Sequence, residues 1–294
     1  MKTAIVGYTG FVGTNLCLSF GFDAKYNSKN VEQAFGTKPD LLIYSGVKAE
    51  MFLANKYPEE DMKCIENAIY NIRMIQPHNV VLISTISTYE PELPYGKNRL
   101  YLENWVTDNY PDSLIVRLPA LFGKGIKKNF IYDMIHVVPS LLVPKKYEEL
   151  LKGTEWENEY QLQDNGFYKC VATSASTLSA LKDYFRQKGF TALNFTDSRS
   201  LYQFFNLKHL WDIIVQALKH KLHMITITSE PLSAAEIFQY VYGIPFCNEI
   251  KDNYPIQNYL EPNADLLGGS NGYLFTKEEI LRDIKSFIET ESKE

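Results

Sequence analysis

The segment AIVGYTGFVGTNL, near the start of the chain, constrains the fold more than any other stretch. An apolar run ends at Val6, three glycines follow at Gly7, Gly10 and Gly13, and a helical pattern opens near Gly10. Glycines in such a turn let the backbone pass close to a pyrophosphate, and the N–H groups at the helix start favour phosphate. The segment predicts a dinucleotide-binding turn, with a merely tight strand-to-helix turn as the alternative.

Further apolar runs repeat this alternation. DLLIY, NVVLIS and SLIVRL are short and continuous, and each is followed by a segment long enough for a helix. Buried parallel strands have this pattern. Helices are expected from Glu59 to Ile75 and from Tyr95 to Val106. The βαβ order predicts an α/β fold, a Rossmann doubly wound parallel sheet with ligands beyond the carboxyl ends of its strands.

The regular alternation weakens after Leu121, where a smaller C-terminal substrate-binding region is expected. We predict a dinucleotide-binding domain over residues 1–124, with elements returning from 170–222, and a substrate-side region over 125–169 and 223–294. Helices are expected over 127–138, 173–188, 207–220 and 277–290, and strands in ALNFT and MITITS.

Composition excludes several classes of protein. The chain has 294 residues with 35 acidic and 30 basic side chains, and it has no basic run, so no nucleic-acid surface is expected. Four widely spaced cysteines predict neither a disulfide framework nor a zinc site, and the five histidines show no metal-ligand spacing. No apolar stretch reaches the roughly 18 residues of a membrane span. A cytoplasmic protein without metal or membrane contact is expected.

The stretch after the second predicted strand bears on cofactor choice. An acid about 20 residues beyond the glycine turn would bind the ribose hydroxyls of NAD, but YNSKN, at Tyr26 to Asn30, holds no carboxylate. Ser28 and Lys29 could instead hydrogen-bond a 2′-phosphate and compensate its charge. This favours NADP, and the alternative is NAD held by Asn27 with Lys29 on a solvated loop.

The stretch PYGKNRLYLENW places Tyr95 and Arg99 four residues apart in a predicted helix. Residues at this spacing share a helix face, and a nearby cation favours the ionised form of a phenol. The pair is therefore either an acid/base pair or two ordinary residues on an exposed turn.

Together these motifs resemble the extended short-chain dehydrogenase/reductase family, the branch of NAD(P)-dependent epimerases, dehydratases and reductases that act on nucleotide sugars. The resemblance covers most of the chain and rests on the glycine motif, Ser45-Gly46, Asn67, LISTISTY, the tyrosine motif at Tyr95, IVRLPALFGKG and YQFFNLKHLWDIIVQAL.

The resemblance implies roles for individual residues. Thr85 would hydrogen-bond a substrate oxygen, and Tyr95 would give or take a proton while hydride moves. A fixed cation must lower the pKa of such a tyrosine; in the family it is a lysine, and here Arg99 stands in its place. Arginine keeps the charge but is bulkier and practically never releases a proton. The implied cofactor contacts are Gly7, Thr9, Gly10, Phe11, Val12, Gly13, Asn27, Ser28, Lys29, Ser45, Gly46 and Arg99.

The reaction and the substrate contacts are less constrained. Ile86 and Ser87 follow Thr85 where the family's dehydratases carry an acid and a base, which argues against dehydration and leaves epimerisation or reduction. Lys127, Lys128 and Asn129 are either substrate contacts or a solvated helix start. Three aromatic residues could stack on a nucleobase or pack a small core: Trp156, Tyr160 and Tyr168.

Two functional hypotheses follow. The first is a nucleotide-sugar epimerase or reductase that uses NADP, or NAD as the alternative. The second is a non-catalytic NAD(P)-binding protein of the same fold with a regulatory or redox-sensing role. The resemblance also suggests a homodimer that pairs through the helices from Glu59 and Tyr95.

Overall fold

The computed structural model describes residues 1–250, 252 and 254–291. They form two compact units. The first comprises residues 1–126, 202–232 and 257–283, and the second comprises 127–201 and the described parts of 233–256 and 284–291. Each unit is described by itself.

The helices and strands follow one another in this chain order. The elements up to residue 126 are β1 (Thr3–Val6), α1 (Phe11–Ser19), β2 (Ala24–Tyr26), β3 (Leu41–Tyr44), α2 (Met51–Lys56), α3 (Pro58–Ile75), β4 (Asn79–Thr85), α4 (Pro94–Asn109), β5 (Leu114–Leu118) and β6 (Ala120–Phe122). Those after residue 126 are α5 (Phe130–Ile135), β7 (Leu141–Leu142), α6 (Pro144–Leu150), β8 (Tyr160–Leu162), β9 (Tyr168–Cys170), α7 (Ala175–Gln187), β10 (Leu201–Tyr202), β11 (Phe204–Asn206), α8 (Leu210–Lys219), β12 (Met224–Thr226), β13 (Leu232–Ser233), α9 (Ala234–Tyr242) and α10 (Lys277–Glu291).

The first unit is built on a six-stranded sheet in the order β12-β5-β4-β3-β1-β2, in which every pairing is parallel. The strands are apolar on both faces because helices cover both, and the residues of β1, β3 and β5 are buried throughout. The predicted α/β class with a Rossmann-type parallel sheet is confirmed. Since the strands are parallel, the turns after β1, β3 and β4 lie at one edge of the sheet.

Two apolar clusters cover the two faces of this sheet. One packs side chains of α1 and α8 against the strands, and it includes Leu16, Leu210 and Ile214. The other packs α3 and α4 against the opposite face, with Ile65, Ile72 and Leu102 at 0–1% exposure. The apolar side chains that recur at helical spacing in α3 thus face the sheet. This packing places the starts of α3 and α4 beside the sheet.

The second unit has a small core of its own, built from α6, α7 and the three-stranded antiparallel sheet β7-β9-β8. The strand predicted in ALNFT is wrong, since Ala192–Phe195 forms a 3-10 helix. A capping box between Thr191 and Asn194 starts that turn, and such local side-chain bonds override an apolar strand pattern.

Within the described part of the chain, no helix is both long and apolar enough to cross a membrane.

Candidate functional site

The glycine turn brings the end of β1 close to the end of β3. Gly7 has φ +95°, a left-handed conformation that favours glycine, and an added Cβ there would collide with the carbonyl of Ser45. Gly13 lets α1 pack directly on the backbone of Gly7. The backbone N–H and the hydroxyl of Ser45 both donate to the carbonyl of Val6, at 2.9 Å each. The two turns therefore form one rigid rim.

A cavity of about 440 Å³ lies at this rim, in the first unit. Seven of the predicted cofactor contacts line it: Gly7, Thr9, Gly10, Asn27, Ser28, Ser45 and Gly46. The α1 helix begins here, and the first turn of a helix directs backbone N–H groups without helical partners towards its start. An open cleft between a glycine turn and a helix start suits a dinucleotide phosphate, so the residues present fit the predicted cofactor.

The cofactor contacts outside that lining are placed differently. Phe11 and Val12 lie in the first turn of α1, where their side chains pack against the apolar cluster of the sheet. Gly13 is buried in the same turn, and Lys29 is exposed. Their contact with a cofactor stays a prediction.

The loop after β2 carries an acid that the sequence pattern did not reveal. The Asn27 side chain accepts a hydrogen bond from the Lys29 backbone N–H at 2.9 Å and so forms a local turn. The short 3-10 helix Val31–Ala34 follows, and its Glu32 lines the cavity beside Asn27 and Ser28. An acidic residue therefore lines the cavity near the loop for which the sequence predicts the 2′-phosphate of NADP.

Thr85 and Tyr95 lie together where β4 meets α4. Thr85 ends β4, and its hydroxyl accepts from the Ser87 backbone N–H at 3.2 Å. Tyr95 lies in the first turn of α4 at 7% exposure, and its backbone N–H donates to Asn55 at 2.9 Å. Gly96 permits this approach, since an added Cβ would collide with the carbonyls of Ser87 and Glu90. The glycine after the tyrosine thus lets the helix start pack against the turn that follows β4.

The surroundings of Tyr95 raise the pKa of its phenol. Burial is the largest cause, and the negative charge of Asp61 adds to it. The positive charge of Arg99 and the side chain of Thr85 act in the opposite direction, but the net pKa lies above the ordinary value. At neutral pH Tyr95 is therefore protonated.

Arg99 lies beside Tyr95, as the four-residue spacing predicts, and it also binds two other groups. Its guanidinium carbon lies 4.3 Å from the centre of the Tyr95 ring. Both terminal nitrogens bind the carboxylate of Asp61, at 2.8 and 2.9 Å, and one also donates to the carbonyl of Lys48 at 2.6 Å. Its roles in binding ribose and in catalysis stay predictions.

The predicted substrate contacts belong to the second unit. Lys127 and Lys128 are exposed, and the Asn129 side chain caps α5 by accepting from the backbone N–H groups of Ile131 and Tyr132. Asn129 thus lies at a helix start, which is one of the two alternatives that the sequence offers for this stretch. Substrate contact by Lys127, Lys128 and Asn129 stays a prediction.

The aromatic residues of the second unit pack in its core. Tyr160 is 3% exposed, Tyr168 stacks on Tyr147 with ring centres 3.7 Å apart, and Trp156 packs against the same cluster. The structure supports the packing interpretation rather than a nucleobase platform.

Three residues near the site were not recognised from the sequence. Glu32 was missed because it lies just beyond the loop in which an acid is expected, and reading a few residues further would have found it. Asp61 and Lys48 were missed because they reach Arg99 across 38 and 51 residues of chain, a separation that no local pattern reports. Among the described residues, no group of three or more His, Cys, Asp or Glu side chains could hold a metal ion.

The parallel sheet and the glycine rim together define a Rossmann-type fold, and the Thr85–Tyr95 pair lies at the carboxyl end of the same sheet. No family model and no curated protein matches the sequence.

Solved structures with the same fold include enzymes that modify nucleotide sugars. One is a dTDP-4-dehydrorhamnose reductase from Clostridium acetobutylicum, with TM-score 0.62 and 15% identity over 99% of each chain. A UDP-galactose 4-epimerase has TM-score 0.62 and 13% identity over 100% of this chain and 99% of its own. RMD from Pseudomonas aeruginosa, complexed with NADPH, has TM-score 0.61 and 14% identity over 99% of this chain and 100% of its own. These structures share the Rossmann-type fold that the sequence resemblance implies.

Proposed function

We propose that the protein is an NAD(P)-dependent enzyme that transfers hydride at a sugar carbon of a nucleotide-activated sugar. The observation that carries the proposal is the buried Tyr95 beside Thr85 at the end of β4, at the same sheet edge as the glycine rim. The bound nicotinamide would supply or accept the hydride. Thr85 would hold the sugar oxygen, and Tyr95 would transfer its proton.

Reduction of a keto sugar is the direction that the site favours. Reduction needs a proton donor at the carbonyl oxygen, and the raised pKa of Tyr95 keeps its phenol protonated. Epimerisation needs the tyrosine first to accept a proton and then to return it, and burial disfavours the ionised form from which it would accept that proton. Solved enzymes of both kinds share the fold, so epimerisation is the alternative reaction.

NADP is the cofactor that the sequence favours, through Ser28 and Lys29. The carboxylate of Glu32 at the same cavity supports the alternative, because it would repel a 2′-phosphate and accept hydrogen bonds from the ribose hydroxyls of NAD.

Isotope transfer tests the proposal. The protein would be incubated with deuteride-labelled NADPH or NADH and with keto and hydroxy forms of UDP-, GDP- and dTDP-sugars. Reduction places deuterium in a sugar product and consumes the cofactor, whereas epimerisation changes the sugar without net cofactor loss. Tyr95→Phe should lower turnover by roughly 10²–10⁴-fold with cofactor affinity unchanged. Turnover that survives this substitution would contradict the role of Tyr95.

A non-catalytic cofactor-binding protein is the second candidate. The engagement of Arg99 by Asp61 and Lys48 favours it, since the family's lysine contacts the cofactor from this position. Cofactor binding without turnover on any sugar nucleotide, in both the native protein and Arg99→Lys, would support this candidate.

A further inference from the structure

Asp61, in the first turn of α3, is a buried carboxylate with three donors. Its exposure is 7%. It accepts two hydrogen bonds from Arg99, at 2.8 and 2.9 Å, and one from the Asn98 side chain at 2.9 Å. A two-pronged pair of this kind fixes the guanidinium plane as well as its position.

The other contacts of Arg99 complete its immobilisation. The carbonyl of Lys48, in the loop after β3, accepts from the same guanidinium at 2.6 Å, and the Tyr95 ring lies against its face at 4.3 Å. Arg99 is 5% exposed, so water screens neither charge of the pair effectively. The guanidinium of Arg99 is therefore held against the Tyr95 ring, and the carboxylate of Asp61 compensates its charge. Removal of the Asp61 charge should then change the electrostatic surroundings of Tyr95.

The groups that face Tyr95 come from four elements. Arg99 lies on the same helix, Asp61 on α3 and the Thr85 hydroxyl at the end of β4, while Asn55 on α2 contributes an uncharged contact to the backbone. Arg99 and Thr85 favour the ionised phenol, and Asp61 opposes it. The electrostatic help that a cation gives to a catalytic tyrosine is thus partly cancelled by a buried acid.

We propose that Asp61 is a positioning residue: it fixes Arg99 against the Tyr95 ring and compensates the guanidinium charge that favours the ionised phenol. This inference rests on the proposed function, because only an enzyme would use Tyr95 for proton transfer. The effect of Asp61 on the pKa of Tyr95 can nevertheless be measured without turnover. It also explains how the chain carries arginine at this position, because a buried arginine needs a buried partner.

Titration of Tyr95 in Asp61→Asn tests the inference. The protein would carry 3-fluorotyrosine at all of its 20 tyrosines, and the resonance absent from Tyr95→Phe identifies Tyr95 in ¹⁹F NMR spectra. Loss of the Asp61 charge leaves that of Arg99 uncompensated, so the pKa of Tyr95 should fall by about one pH unit or more. Glu59→Gln, an exposed acid in the same helical turn, is the matched control and should leave it unchanged. An unchanged Tyr95 pKa in folded Asp61→Asn would overturn the inference.

A double variant keeps the test decisive if Asp61→Asn folds poorly. Asp61→Asn with Arg99→Met removes both charges and leaves no unpaired buried ion. Because Arg99 lowers the pKa of Tyr95 more than Asp61 raises it, that pKa should lie at or above its native value. A double variant with the pKa of Tyr95 far below the native value would contradict the compensation.

Turnover gives an independent readout. In Asp61→Asn the alkaline limb of the kcat profile should move to lower pH together with the Tyr95 titration. If the titration shifts as expected but native protein turns over no sugar nucleotide, the proposed function fails and the charge balance stands. If turnover is found and the titration does not shift, the proposed function stands and the inference fails.

Discussion

Two side chains of opposite charge, Glu32 and Lys29, follow β2 within four positions of each other, and they favour different cofactors. Glu32 lines the cavity, whereas Lys29 is exposed and outside its lining. A carboxylate at the ribose repels a 2′-phosphate, and a lysine attracts it. We therefore propose that the balance between these two residues sets the preference between NAD and NADP.

Glu32→Gln should raise the affinity for NADPH relative to NADH by roughly 5- to 10-fold, about 1 kcal/mol of coupling. The physical reason is removal of a negative charge near the 2′-phosphate. Affinities for both cofactors would be measured by calorimetry. Lys29→Gln is the paired variant, and it should weaken NADPH alone if Lys29 reaches the phosphate. A preference that neither substitution changes would show that neither side chain selects the cofactor.

Contacts between residues that lie far apart in the chain cannot be predicted from local sequence motifs. Tyr95, Thr85 and Arg99 could be singled out because they lie in recognisable motifs. Asp61 could not, because its contact with Arg99 follows from the packing of α3 on α4 rather than from any spacing. The net direction of the Tyr95 pKa depends on that unseen acid and on burial, so a motif alone does not predict it.

At the scale of elements, the start of α4 depends on a close approach between a helix and a loop. Gly96→Ala should destabilise the protein by about 2 kcal/mol or more, because its Cβ would collide with two backbone carbonyls that cannot easily move. Denaturant unfolding measures the free energy. Lys97→Ala, an exposed position in the same turn, is the control and should have little effect. Equal stability of the two variants would contradict the close packing.

In the second unit, α5 carries a carboxyl that burial makes hard to ionise. Burial raises the pKa of Asp133 to about 7. Since the folded pKa lies above the unfolded one, stability is present at acid pH and is lost as the pH rises through about 7. Asp133→Asn should therefore be more stable than the native protein above about pH 7, by up to about 4 kcal/mol, and similar near pH 4.

Thermal unfolding across this pH range would measure the effect. Asp164→Asn, an exposed acid in the same unit, should give the same pH dependence as the native protein. If Asp133→Asn also follows the native curve, the buried carboxyl does not titrate as described.

The regular elements of the first unit could be predicted because apolar runs and helical spacing report burial directly. The predicted helix at 59–75 is found at Pro58–Ile75, and the one at 95–106 extends over Pro94–Asn109. The elements of the second unit are harder to predict from the sequence. Its strands have only two or three residues, and a side-chain capping box makes Ala192–Phe195 a 3-10 helix. Such short pieces carry no periodicity to read.

At the scale of the whole molecule, exposed side chains on α3 and α4 suggest where two copies would meet. Tyr101 on α4 and Met74 on α3 are 52% and 39% exposed, whereas Tyr70, one turn before Met74, lines the cavity at the glycine rim. We propose that the chain forms a homodimer through this face, as the family resemblance implies. Tyr101→Glu should then shift the protein to monomer in analytical ultracentrifugation, while Val215→Glu, at an exposed position on α8, should not. A native monomer at micromolar concentration would contradict the proposal.

The central claim is that the glycine rim binds a nicotinamide dinucleotide next to a sugar-nucleotide site. Calorimetric titration of cofactor-stripped protein with NADPH, NADP, NADH and NAD tests it most directly, with and without UDP-, GDP- and dTDP-sugars. We predict micromolar binding of at least one dinucleotide, strengthened by one class of sugar nucleotide. Absence of binding by all four dinucleotides would contradict the claim and leave Tyr95 and Arg99 as packed residues of a helix.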